Sequence, residues 1–361
     1  MKSIFHSLLF LIYQNLIFFI IVIFYKIMSL VVTRVTDQKI MNGVKIEISL
    51  ILNIFFATSV FVFLFITVKN YKSGIKGFLY GFNGTIQYFF NLKSFTNVLL
   101  IIIFITFFLE SFTTIKIAIP VINDFKWDES MMLADYYIHF GNHPWEIINT
   151  TIKSPFATYT IDFIYSYMWN AIFFVTIIIV SAHQDNILRI KYFLTMFVSW
   201  IILGNILATI FSSAGPCYFN EFVHNQNPFS SLRDYLNTVN SEYPLASLQT
   251  QDLLLKSYKM GQPIYFAGIS AFPSIHVSTM TLCALAFWSL NKLAGYIVWL
   301  ITIITLVGSV HLGWHYAIDG YFSIMITFII WRFSNYFLGR LPDFLCLNNS
   351  SGFIFSRRDA Q

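Results

Sequence analysis

The sequence predicts an all-α integral membrane protein of about eight transmembrane helices. Three observations carry that expectation. Of the 361 residues, 57% are hydrophobic and only 11% charged, whereas a soluble protein carries about 25% charged residues. Apolar runs of roughly 18 residues or more recur along the chain, and a helix needs about 20 to cross the hydrocarbon. Between Phe272 and Gly320, imidazoles and a carboxylate sit at consecutive apolar runs, where ionisable groups are costly and usually functional.

The expected spans, in order, are Leu8–Met28, Ile48–Val68, Val98–Ile119, Ile161–Ser181, Tyr192–Phe211, His276–Leu290, Ala294–Val310 and Tyr316–Phe333. The first follows a charged start, as a signal peptide does. It is longer than a typical h-region and lacks a small-residue cleavage site, so it reads as a retained span. The run from His276 is short and is expected to begin a few residues earlier.

The loops set the expected orientation. With the N-terminus cytoplasmic, Lys69, Lys72, Lys76, Lys93, Arg189, Lys191, Lys292 and Arg340 fall in inside segments, most of them short. The outward loops are longer and more sparsely basic, which favours both termini inside. Lys26, Lys116 and Arg332 lie at span ends and count for neither side. Three segments then face outward, about 29–47, 120–160 and 212–275. The middle one is aromatic-rich and amphipathic, which suits short interfacial helices. The last is the longest polar stretch, a length common in lids and substrate-entry surfaces.

Several classes are disfavoured. The net charge is +5 with no Lys/Arg block, which argues against nucleic acid as a partner. Cys217, Cys283 and Cys346 are odd in number and widely spaced, indicating neither a disulfide framework nor a zinc site.

The chemistry gathers in the late hairpin. His311, His315 and Asp319 are spaced i, i+4, i+8, so on a continuous helix they would share a face. Gly313 makes a turn there the competing expectation. A carboxylate one turn from His315 can accept the proton of one ring nitrogen and leave the other free to attack. Pro273 suits the first turn of a helix and Ser274 can cap its amides. Such a helix N-terminus favours a phosphate, and His276 beside it can protonate a leaving oxygen. His311 by itself reads more simply as an inter-helix hydrogen-bonding residue.

These residues resemble the type 2 phosphatidic acid phosphatase superfamily. Pro273-Ser274-Ile275-His276 is similar to its second motif, and His315 with Asp319 to the end of its third. The resemblance implies a six-helix core over residues 95–335, preceded by two extra spans in 1–94 and followed by a cytoplasmic tail, 336–361. It also implies a site at the non-cytoplasmic face and catalysis without a metal or other cofactor. His315 would form a phosphohistidine, Asp319 would orient it and His276 would protonate the leaving group. The substrate would be a lipid phosphate or phospholipid head group, with an alcohol as acceptor in the transferase outcome.

The sequence also departs from the family. Gly308-Ser309 stand where the third motif opens with Ser-Arg, and Gly215 stands for the Arg in the nearest first-motif candidate, Ser212–Pro216. The usual phosphate-gripping cations are thus missing, as in the branch that resembles inositol phosphorylceramide synthase. Phe140–Pro144 and Gly215-Pro216 are similar to further traits of that branch. Ser274, Ser213, Gly215 and His311 are the expected substrate-contacting positions, and Arg233, Lys256 or Lys259 could fold back to supply charge. Two other readings stay open: a membrane metalloenzyme in which His311, His315, Asp319 and His276 hold a divalent ion, and a transporter with a buried polar cluster.

Overall fold

A computed structural model describes residues 2–37, 92–183, 185–223, 226–262 and 268–340. Among these residues the regular elements are all helical. In chain order they are α1 (Lys2–Thr36), α2 (Leu92–Ile122), α3 (Asp128–Ile138), α4 (Pro144–Thr151), α5 (Pro155–Ala182) and α6 (Asn186–Ile210). They continue with α7 (Ser230–Glu242), α8 (Ala246–Met260), α9 (Ile275–Leu290), α10 (Lys292–His311) and α11 (Ala317–Leu338). Short turns at Pro216–Tyr218 and Phe219–Phe222 lie between α6 and α7.

Six of these helices, α1, α2, α5, α6, α10 and α11, are long and apolar enough to cross a membrane, as a multi-pass membrane protein requires. The expected span Ile48–Val68 lies outside the described residues. The expected span from His276 is the shorter α9. Its 16 residues reach about 24 Å at 1.5 Å per residue, less than the roughly 30 Å hydrocarbon thickness.

Helix α9 starts at Ile275, one residue before His276 rather than a few, and the reason is local. Ser274 is the N-cap, its hydroxyl accepting the Val277 N–H at 3.5 Å, and Pro273 lies outside the helix. The chain before it is tied to other parts of the protein. Ala271 N–H donates to the Ser213 carbonyl (2.8 Å) and Ser274 N–H to that of Asp319 (3.4 Å). Irregular backbone at membrane depth is tolerated where protein covers it. The helix itself packs against α5, α6, α10 and α11, and Val277 through Ala284 are all buried. A helix so enclosed can be short.

Association of apolar helices in lipid draws little on the hydrophobic effect and depends on close packing and a few polar contacts, each worth about 0.6 kcal/mol on average. Both are present. Phe108 and Phe197 lie 4.7 Å apart, and Phe112 and Trp200 4.9 Å, joining α2 to α6. Ser278 pairs with Thr327 (2.8 Å) and Thr195 donates to Ser334 (3.0 Å), tying α11 to α9 and α6. The α1 helix is clasped by a Lys26–Glu110 ion pair of 2.9 Å, by Arg189 donating to Asn15 at 2.9 Å, and by a Tyr25–Asn205 hydrogen bond.

Two of the segments expected to face outward contain helices among the described residues. Residues 120–160 form α3 and α4, the short helices expected there, and the polar stretch 212–275 contains α7 and α8. Asp162 on α5 receives the Ala246 and Ser247 amides at 2.7 and 3.0 Å, so a buried carboxylate caps the start of α8.

Candidate active site

The site is built around the turn between α10 and α11. Helix α10 ends at His311, and Gly313 (φ +74°) turns the chain. The Ser309 carbonyl then accepts both the Trp314 N–H (2.9 Å) and the His315 N–H (3.0 Å). His311 and His315 are therefore not on one helix face. The His311 ring turns to Thr158, with Nε2 2.9 Å from its hydroxyl. Among the described residues, no group of three or more His, Cys, Asp or Glu side chains is arranged to hold a metal ion. The cluster needed for the metalloenzyme reading is thus not assembled.

His315 and Asp319 do meet. His315 Nδ1 lies 3.1 Å from Asp319 Oδ2, which also accepts the Tyr316 N–H at 3.1 Å. Both side chains are buried. Burial first, then the neighbouring His276 and Lys116 charges, lower the His315 pKa below its ordinary value, so the ring is neutral at pH 7. A neutral ring with Nδ1 engaged by a carboxylate has Nε2 as its other nitrogen. The start of α11 is anchored from outside as well. Asp135 on α3 accepts the Ala317 and Ile318 amides at 2.8 and 3.0 Å. Burial raises the Asp135 pKa, with these two amides pulling the other way.

His276, at the start of α9, sits in an aromatic box. The Tyr165 ring stacks on it at 4.9 Å with the phenol oxygen 3.5 Å from Nδ1, and Trp169 meets it edge-on at 4.4 Å. Tyr165 lies in a π-helical turn, Ile164–Met168, within α5. Such turns insert an extra residue into the helical ladder and recur at functional sites. A second one, Ile202–Leu207, places Gly204 on the same cavity.

That cavity holds about 500 Å³ and is lined by both His276 and His315, within the 300–1,000 Å³ typical of small-molecule sites. An apolar group of Leu109, Phe112, Phe173, Phe174 and Trp200 forms part of its wall. Among the described residues no carboxylate lines it, and Lys116 is the one Lys or Arg that does.

The expected substrate-contacting positions lie elsewhere. Ser274 caps α9, and His311 faces Thr158. Ser213 and Gly215 are engaged by Asp128, whose carboxylate accepts the Ser213 hydroxyl (2.9 Å) and the Ala214 (2.8 Å) and Gly215 (2.7 Å) amides. The Tyr316 hydroxyl adds a fourth bond at 3.0 Å. None of Ser274, Ser213, Gly215 and His311 is among the cavity walls. Arg233 is paired with Asp252 at 2.8 Å and Lys259 with Glu221 at 2.6 Å, and neither they nor Lys256 line the cavity.

Sequence reasoning passed over Lys116, Asp128 and Tyr165. Lys116 carried a usable signal, an ammonium inside an apolar run, which is a functional candidate by default. Asp128 and Tyr165 carried none, since an acid in a polar loop and an aromatic in an apolar helix are both ordinary.

Neither a curated protein nor a solved structure matches the chain significantly. Residues 130–333, more than half of its length, match the family model described as the PAP2 superfamily. That segment holds His276, His315 and Asp319, and the chain therefore belongs to the PAP2 superfamily, a phosphatase-type membrane family.

Proposed function

We propose that the protein is a membrane-embedded enzyme that cleaves or transfers the phosphate-linked head group of a lipid through a phosphohistidine. The observation that carries this reading is the His315–Asp319 pair, 3.1 Å apart, beside the cavity that His276 shares. His315 Nε2 attacks phosphorus and forms a P–N bond as the P–O bond to the leaving group breaks. His276 gives its proton to the departing oxygen. Asp319 holds the Nδ1 proton and stabilises the positive ring that forms. Water, or an alcohol in the transferase outcome, then attacks phosphorus and returns its proton to His276, and the P–N bond breaks.

The apolar wall from Leu109 to Trp200 supports a lipid substrate, because it offers acyl chains a surface continuous with the spanning helices. The absence of Arg at positions 215 and 309, with the Phe140–Pro144 stretch linking α3 to α4, favours the transferase branch that resembles inositol phosphorylceramide synthase. A site on the non-cytoplasmic face with both termini cytoplasmic accords with the basic residues of the loops.

The test is head-group or phosphate release from a panel of lipid phosphates by purified protein with chelator present, wild type beside His315→Ala. Metal-independent turnover that vanishes in the variant is expected, with added alcohols sorting hydrolase from transferase. Turnover only with metal, or turnover that survives His315→Ala, would overturn the mechanism.

A further inference from the structure

We infer that the Lys116 ammonium is the cation that grips the phosphoryl group of the ligand, in place of the two arginines that the sequence lacks at positions 215 and 309. The inference takes its ligand from the lipid phosphate reading above.

A phosphoryl group entering an apolar cavity loses its hydration and needs fixed positive charge or donors aimed at its oxygens. The His315 ring is neutral, and the His276 proton leaves with the departing oxygen, so neither imidazole supplies a lasting charge. The loop that would offer backbone donors, Ser213–Gly215, already holds the Asp128 carboxylate. Among the described residues the remaining full charge on the cavity wall is Lys116. It lies on α2, whereas His276 opens α9 and His315 lies in the turn before α11. Among the described residues no carboxylate lies within ion-pair distance of it, whereas Lys26, Lys126, Arg233 and Lys259 all have one. Its Nζ lies 5.9 Å from the centre of the Phe112 ring, and Gly268 packs against its stem and backbone. An ammonium without a carboxylate partner among the described residues, beside two imidazoles in a cavity that no described carboxylate lines, is a seat for an anion.

Lys116 also lies outside the segment that matches the family, 130–333. The charge would thus come from a helix, α2, rather than from the loop bearing Gly215, on a long side chain able to reach in from the cavity wall. An arginine could not be restored at position 215. A Cβ there would stand 2.6 Å from the Trp314 carbonyl oxygen, with φ at +99°.

The experiment is binding to the full chain in detergent, on a His315→Ala background so that no turnover intervenes. The signal is tryptophan fluorescence, since Trp169, Trp200 and Trp314 line the cavity. The probes are dioctanoyl phosphatidic acid, inorganic phosphate and, as the uncharged control, dioctanoylglycerol. Lys116→Met should weaken phosphatidic acid at least tenfold and leave dioctanoylglycerol within about twofold, while Lys116→Arg keeps phosphatidic acid within about threefold. Inorganic phosphate that binds with the same dependence on Lys116 would show that the phosphoryl group suffices. Phosphatidic acid alone doing so would show that the acyl chains are needed to place it, and both outcomes support the inference. Unchanged phosphatidic acid binding in Lys116→Met, equal loss of all three probes, or no binding to the parent protein would overturn it. Trapping of a labelled phosphoenzyme in the wild type reports on the catalytic reading separately. Lys116-dependent binding without a phosphoenzyme would leave the anion seat standing and remove the phosphohistidine.

Discussion

Asp128 Oδ1 accepts the Gly215 amide at 2.7 Å and the Tyr316 hydroxyl at 3.0 Å, so one carboxylate joins the loop after α6 to the residue that follows His315. Asp128→Ala leaves buried donors on Ser213, Ala214, Gly215 and Tyr316 without their acceptor. Hydrogen bonds to a charged group net about 1.5–3 kcal/mol each and do not add fully, so a loss of at least about 3 kcal/mol is expected. The apparent Tm in detergent reads it. Asp128→Asn keeps one acceptor oxygen and should fall between the wild type and the alanine variant. An alanine variant as stable as the wild type would refute the anchor.

Gly215→Arg places the residue type of the family motif at its usual position, yet it should yield less folded protein and no gain in turnover. The backbone there is left-handed and the Trp314 carbonyl stands in the way of any side chain. Monodisperse expression together with the rate on a lipid phosphate settles the point. A variant more active than the wild type would show that position 215 can still accept the cation.

His315→Ala and His311→Ala should separate cleanly. The first removes the attacking atom and should lower turnover by about a thousandfold or more, with the apparent Tm little changed. The second removes one hydrogen bond to Thr158, worth about 1 kcal/mol, and should keep turnover within about tenfold. Equal losses from both, with a stoichiometric metal in the wild type, would revive the metal-site reading.

The Lys26–Glu110 pair should hold α1 against α2. Neither side chain is fully buried, so a coupling on the order of 1 kcal/mol is expected. Each single reversal, Lys26→Glu or Glu110→Lys, should lower the apparent Tm, and the double reversal should recover most of it. A double variant no better than the worse single one would refute the clasp.

Much of this was legible beforehand because length and apolarity are sufficient physics for a span. The expected run Tyr192–Phe211 lies within α6 except for its last residue, and Tyr316–Phe333 overlaps α11 except for its first. Gly313 marked the break after His311. The His315–Asp319 spacing survives that break because Asp319 lies in the first turn of α11. Long-range pairing was not legible. Nothing local indicates that Asp128 binds a loop 85 residues onward, or that Ser213 and Gly215 would be taken by it. Lys116 lies at a span end and so counted for neither side of the membrane; a lysine there ordinarily extends to the interface. Only the tertiary fold shows that its end meets a cavity. The late start of α9 was hidden for a related reason. A length rule assumes lipid on all sides, and α9 has protein there.

The π-helical turn that presents Tyr165 to His276 amounts to one residue beyond the α-helical ladder. A single-codon deletion within residues 164–168 would take that residue out and let α5 run as an ordinary α-helix, with the segments on either side keeping the faces they now present. What would change is the wider turn that carries Tyr165, and with it the seat of the ring that stacks on His276. The aromatic box is therefore a matter of reading length as well as of residue type.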